Sequence, residues 1–375
     1  MQLRLAGMVS HCHWCCVAFN SVIQAIARMS NKPTKTKKRL AQLLTVVVAL
    51  TIGLTVSEFT CRWMFNRIGM HYGLEMWKYA RLIKRQNENP DIGHEHEPNT
   101  RATLMGVDVN INSQRLRDRE FTTTKPADVY RILLLGDSMT FGWGARYEDT
   151  YAKVLEQMLN ESPPDGHKRF EVINTGVGNY NTVQEVAYFK QYGVQYEPDM
   201  VILGYYINDA EPIPRPKGGW LARHSYLYVA TSSFIGAFGR KMESGPSWLS
   251  YYRKLYEDDQ PAWQSCQQAI RDLITTCQEA QMDLTIFLVP ELHSPQDYPF
   301  LEIQGKIETI AQEGNVPTVD PRTQLPAVDP LDLWVSPGDA HPNATAHRVF
   351  AEALFKHVTQ QLSHPPAANE APAEN

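Results

Sequence analysis

Residues 131–142 read Arg-Ile-Leu-Leu-Leu-Gly-Asp-Ser-Met-Thr-Phe-Gly, and the fold follows from how this stretch is read. The apolar run 131–135 has the character of a short strand buried on both faces, as in a parallel sheet. The sequence after it alternates helical and strand-like segments. Helices are expected at 151–160 and 182–195, and strands at 170–174 and 200–205. After an aromatic-, Gly- and Pro-rich insertion at about 210–260, the rhythm resumes. It gives a helix at 262–281, a strand at 284–289, a helix at 300–313, a short strand near 316–319 and a last helix at 344–362. Such alternation predicts a parallel sheet with helices on both faces, whose sites form at the carboxyl ends of the strands.

Each expected strand end carries a cluster of functional residue types. The first is followed by Gly136-Asp137-Ser138, the second by Gly176-Val177-Gly178-Asn179, and the third by Asn208-Asp209. Asp339-Ala340-His341 precedes the last helix. A serine hydroxyl needs an adjacent base, which a carboxylate in turn orients, and Ser138, His341 and Asp339 supply those three types. A tetrahedral intermediate needs donors aimed at its oxyanion; the Ser138 N–H, the Gly178 N–H and the Asn208 amide are the candidates. Taken singly, each cluster also has a plain structural reading as a turn or a helix cap. Their joint placement at successive strand ends favours the catalytic one.

These four clusters resemble the Ser, Gly, Asn and His blocks of the SGNH (GDSL-like) hydrolases. In that resemblance Ser138 is the nucleophile, Gly178 and Asn208 are oxyanion residues and His341 is the base. It covers roughly residues 130–362 and implies a three-layer α/β/α sandwich with a five-stranded parallel, flavodoxin-like sheet. It implies ester hydrolysis through an acyl-enzyme, with neither metal nor organic cofactor. One departure concerns the triad acid. The family usually places Asp three residues before His, where this chain has Gly338. Asp339 is the assigned acid, Asp332 the fallback, and a Ser-His dyad assisted by a backbone carbonyl the remaining option. Thr140 stands where the G-x-S-x-G elbow of α/β-hydrolases has its second glycine. The third glycine of a dinucleotide fingerprint is missing after Gly178.

Upstream, residues 40–57 carry no charge and follow a basic cluster of Lys32, Lys35, Lys37, Lys38 and Arg39. Eighteen helical residues rise about 27 Å, close to the thickness of a bilayer core. The basic flank predicts a cytoplasmic N-terminus at 1–39, an uncleaved anchor at 40–57 and an exported remainder in the inner membrane of a bacterium. A membrane-proximal lead-in at 58–128, the hydrolase domain at 129–362 and a disordered tail at 363–375 complete the expected organisation. Translation starting at Met29 would give a more conventional leader. The His and Cys residues between His11 and Cys16 lack a second ligand pair at zinc-site spacing. A formal net charge of −5 across 375 residues argues against nucleic acid as a partner. The expected substrate is an acylated small molecule, glycan or lipid. The alternatives are an O-acyltransferase acting on a cell-surface polysaccharide and a non-catalytic glycan-binding scaffold.

Overall fold

The computed structural model describes residues 34–68, 72–164, 169–213, 219–232, 235 and 247–363. The His/Cys-rich start, Met29 and the tail beyond 363 lie outside the described residues. The chain divides into two compact units at Asn66/Arg67.

The first unit contains α1 (Lys35–Ile68), longer at both ends than the expected span of 40–57. Among the described residues it is the one helix long and apolar enough to cross a membrane, which an anchor and a signal sequence equally satisfy. Its leucines and all its valines but the half-buried Val48 are exposed.

In the second unit, β5 (Val129–Gly136), β6 (Arg169–Asn174), β7 (Met200–Tyr205), β8 (Asp283–Leu288) and β9 (Thr318–Val319) form one five-stranded sheet ordered β6-β5-β7-β8-β9. Every pairing is parallel. This is the flavodoxin-like sheet that the resemblance to the SGNH hydrolases implies. Because strand side chains alternate, each strand feeds two cores. Leu133, Leu135, Val201, Leu203 and Ile286 pack with residues of α5 (Thr182–Tyr188), α7 (Pro261–Glu279) and α8 (Leu301–Glu313). Ile132, Leu134, Met200, Ile202 and Phe287 pack on the opposite face with α4 (Tyr151–Glu161) and α9 (Ala344–Ser363). In the sheet register Leu134 faces Asn174, Gly136 faces Gly204 and Tyr205 faces Leu288. The expected functional clusters therefore leave the sheet along one edge.

The expected helix at 182–195 is shorter. Regular α-helix ends at Tyr188, and a π turn (Phe189–Gly193) and a 3-10 turn (Val194–Tyr196) complete it. The insertion is described in part and includes α6 (Ser247–Leu255) and a short helix at Trp220–His224.

The lead-in expected at 58–128 is not a separate module. Its first residues continue α1, and from residue 67 onward it belongs to the second unit. There α2 (Tyr72–Leu82) is followed by two hairpins, β1 (Lys84–Gln86) with β2 (His94–His96) and β3 (Arg101–Leu104) with β4 (Val107–Asn110). A third core explains the attachment: Tyr79, Ile83, Leu104, Val109 and Ile111 bury themselves against Phe141 and Trp143, immediately after the nucleophile turn.

Candidate active site

The turn after β5 is built by local capping. Asp137 ends the strand, and its Oδ1 accepts from the Met139 N–H at 2.8 Å, starting the single helical turn α3 (Ser138–Phe141). Gly142 closes that turn at φ 77°, a left-handed conformation suited to glycine. Ser138 is held at the mouth of the sheet, 8% exposed.

His341 arrives from a different element. Strand β10 (Trp334–Ser336) pairs antiparallel with β11 (Asp339–Pro342) just ahead of α9. Residues two apart on a strand share a face, which explains the Asp-x-His spacing here. The His341 Nδ1 lies 2.5 Å from Asp339 Oδ1, and its Nε2 lies 2.8 Å from Ser138 Oγ. The Trp143 indole N–H donates to Asp339 Oδ2 at 2.9 Å, so both carboxylate oxygens are fixed. Burial pushes the Asp339 carboxyl up, but the His341 bond and charge, with the Trp143 bond, outweigh it and hold it below its ordinary range. Tyr72 stacks on the imidazole at 6.0 Å between ring centres. Asp332, the fallback acid, makes a different contact: its backbone carbonyl accepts from the Asn343 amide.

The Asn208 amide donates to Asp137 Oδ2 at 2.9 Å. A carboxylate there can only accept, which sets which end of the Asn208 amide carries hydrogen and leaves its second N–H available. Burial raises the Asp137 carboxyl, opposed by the bonds from Met139 and Asn208.

Gly178 departs from expectation. Its N–H is not directed at the cleft but donates to the Tyr79 hydroxyl at 2.9 Å. Glycine is required there for space, since a Cβ would lie 2.7 Å from the Tyr79 ring. The neighbouring Asn179, at φ 64°, lines the cleft instead, and its N–H has no acceptor among the described residues. The lead-in fixes this loop from both sides. His96 Nδ1 donates to the Arg115 carbonyl at 3.0 Å, leaving Nε2 to accept the Tyr79 O–H at 2.7 Å. The Gly178 carbonyl is bonded by Lys84 Nζ and, at 3.1 Å, by His94 Nε2. Lys84 also donates to Asn179 Oδ1 at 3.1 Å and lies 4.6 Å from the Tyr79 ring centre. Desolvation pulls the Lys84 ammonium down to about 7, while burial, then the Lys84 charge, lowers His94 to about 3 and keeps it neutral.

Ser138, Asn179, Asn208 and His341 line a cleft of about 390 Å³. A larger groove of about 1030 Å³, beside Gln86, Glu88 and Gln260, is lined by His94 and Ser265, which are not bonded to each other, and by neither Ser138 nor His341. Volume alone does not select the site.

A family model for the GDSL-like lipase/acylhydrolase family matches residues 134–349, more than half of the chain. The chain belongs to that family. As a GDSL-like acylhydrolase it is an ester-hydrolysing enzyme with an α/β fold. Solved structures with a similar fold include a lipolytic protein of the G-D-S-L family from Desulfitobacterium hafniense. It is 16% identical, with 60% of this chain and 98% of that one covered at a TM-score of 0.38. An acetylxylan esterase from Geobacillus stearothermophilus, crystallised as a catalytic mutant, is 16% identical, with 63% and 96% covered and a TM-score of 0.40. A two-domain esterase active on acetylated mannans is 18% identical, with 66% and 53% covered and a TM-score of 0.39. No curated protein matches the chain.

The sequence reading missed Tyr72, which long-range contacts bring to the acylhydrolase cleft, and Tyr79, Lys84 and His94, which they bring to the Gly178–Asn179 loop; it quoted Asn179 beside Gly178 without giving it a role. It also missed Glu291 and His293. There a signal was present, for Glu291-Leu292-His293 repeats the carboxylate-x-His spacing of Asp339-Ala340-His341.

Proposed function

We propose that the enzyme hydrolyses carboxylic esters through an acyl-Ser138 intermediate. The observation that carries this reading is the chain of contacts from Asp339 through His341 to Ser138 Oγ, 2.5 and 2.8 Å long. His341 takes the hydroxyl proton as Ser138 attacks the carbonyl carbon, and returns it to the departing alkoxide. It then deprotonates a water that attacks the acyl carbon, and the returned proton restores Ser138. Asp339 accepts from Nδ1–H throughout, fixing the tautomer whose Nε2 is the base. The Ser138 N–H, the second Asn208 amide hydrogen and the Asn179 N–H stabilise the oxyanion, Asn179 taking the part expected of Gly178.

The substrate in this reading is an acylated glycan or lipid outside the cytoplasm. The apolar helix α1, with Lys35, Lys37, Lys38 and Arg39 at its N-terminal end, supports an inner-membrane anchor with a cytoplasmic N-terminus. The catalytic region on this view runs from about Tyr72 to Ser363.

The test is p-nitrophenyl acetate hydrolysis by the full chain in detergent, with Ser138→Ala and His341→Ala alongside. Turnover by the wild type that both substitutions abolish supports the reading. A folded wild type that neither turns over the ester nor reacts with a fluorophosphonate refutes it.

A further inference from the structure

Directly after β8 the chain builds a second carboxylate-imidazole pair. Glu291 is buried, at 3% exposure, and both its oxygens turn to His293. Oε1 is bonded to His293 Nδ1, and Oε2 accepts from the His293 backbone N–H at 2.9 Å. The imidazole packs edge-on against Trp334, 4.5 Å between ring centres, and tilted against Trp248 at 5.4 Å. Trp334 is in turn pinned by its indole N–H to the Leu292 carbonyl at 3.0 Å. With Nδ1 committed to Glu291, Nε2 is the ring's remaining polar atom, and it has no partner among the described residues. Half of the His293 side chain is open to solvent, and it lines the same cleft as Ser138 and His341.

Burying a carboxylate is costly, and a histidine that merely covers surface needs no such holder. Nor does the pair replace the catalytic base, since Ser138 Oγ is bonded to His341. It can fix the position and tautomer of one polar atom at the cleft wall. We propose that His293, oriented by Glu291 and flanked by Trp334, is a subsite for a neutral saccharide, receiving the alcohol side of the scissile ester. This deepens the esterase reading of Ser138 and rests on it.

Three observations select that ligand class. The Nε2 of a fixed imidazole exchanges a hydrogen bond with a hydroxyl, whichever partner donates. Tyr72, Tyr206, Tyr252 and Trp334 line the same cleft, giving ring faces for the C–H face of a sugar beside a few placed polar groups. Finally, among the described residues no Lys or Arg lines the cleft, while Asp339 lines it and Glu291 holds His293. Glu211 accepts from the lining Tyr252 at 3.3 Å, adding a third carboxyl close by. These three carboxyls outnumber the one ammonium that, among the described residues, bonds a lining residue, that of Lys84 on Asn179, and so disfavour an anionic ligand. A long alkyl chain over His293 would leave its Nε2 desolvated and unpaired.

The experiment compares the detergent-solubilised full chain with His293→Ala, His293→Asn and Glu291→Gln on p-nitrophenyl acetate and on acetylated cellobiose. His293→Ala is expected to lower kcat/KM on the sugar ester by about tenfold or more, mainly through KM, while p-nitrophenyl acetate stays within about twofold. His293→Asn, which keeps a polar atom, should recover part of the loss, and Glu291→Gln should fall between. Equal losses on both esters would show a merely structural role and overturn the inference, as would no loss on either. A wild type that hydrolyses p-nitrophenyl acetate but not the sugar ester overturns the subsite alone. One that hydrolyses neither removes the esterase reading and the subsite with it.

Discussion

Replacing Lys84 by Met removes the ammonium that bonds the Gly178 carbonyl while keeping most of the side-chain volume. That carbonyl belongs to the same peptide as the Asn179 N–H, so a cation on its oxygen polarises the N–H on the far side. A hydrogen bond to a charged group contributes about 1.5–3 kcal/mol. In the variant His94 still bonds the Gly178 oxygen, so no acceptor is orphaned and the loss falls short of a deleted oxyanion donor. We expect about 1–2 kcal/mol in transition-state stabilisation, or roughly 5–30-fold in kcat with KM little changed. Folding should hold, because desolvation already disfavours the buried charge. The pH dependence sharpens the test. With Lys84 lowered to about 7, its contribution is present while it is protonated and fades as pH rises through that value. The wild-type to Lys84→Met ratio of kcat on p-nitrophenyl acetate should therefore shrink from pH 6 to pH 9. A ratio constant with pH, or a loss confined to KM or to thermal stability, would refute the argument.

Asn179→Gly keeps the backbone N–H and suits the left-handed φ, so it should retain activity within a few-fold. Asn208→Ala removes a donor and should cost about 10²–10³ in kcat; a larger loss for Asn179→Gly than for Asn208→Ala would reverse the assignment. Asp339→Asn should lower kcat by about 10⁴ through the wrong histidine tautomer; a fall below tenfold on p-nitrophenyl acetate would favour the dyad. Glu185 is buried with neither carboxyl oxygen bonded among the described residues, and burial, then Asp209 and Asp137, raises its pKa well above the ordinary value. The folded state thus holds a proton that the unfolded chain releases near pH 4–5, and the stability it contributes is lost as pH rises through the raised value. Glu185→Gln should gain in Tm relative to wild type between pH 5 and pH 8 in thermal denaturation; a difference that does not grow with pH would contradict this.

The sheet was legible because its strands are buried on both faces, so 131–135, 200–205 and 284–289 read as short apolar runs bounded by turns. Ser138 and Asn208 were legible as candidates because the register of a parallel sheet brings its strand ends together, and Asp339 and His341, on an antiparallel hairpin, by their residue types just ahead of the last helix. Gly178 was a reasonable candidate on spacing but a wrong donor, since nothing local reveals that Tyr79, 99 residues earlier, accepts its N–H. The lead-in resisted reading for a related reason. Its strands are three or four residues long, too short for a period to show, and His94, Glu95 and His96 are buried polar residues whose partners, such as Asn87, Arg115 and Gly178, no local pattern marks.

The grip of the β1–β2 hairpin on the Gly178–Asn179 peptide has a consequence for how the enzyme could be shed or silenced. Proteolysis just ahead of Tyr72 would release a fragment that still holds every residue of the clamp. A cut between Glu97 and Val129 would leave the clamp joined to the sheet and triad only by its buried packing on Phe141 and Trp143 and its bonds to Gly178. Two scissions within about sixty residues would thus differ in kind, the first sparing the covalent tie between clamp and triad and the second severing it.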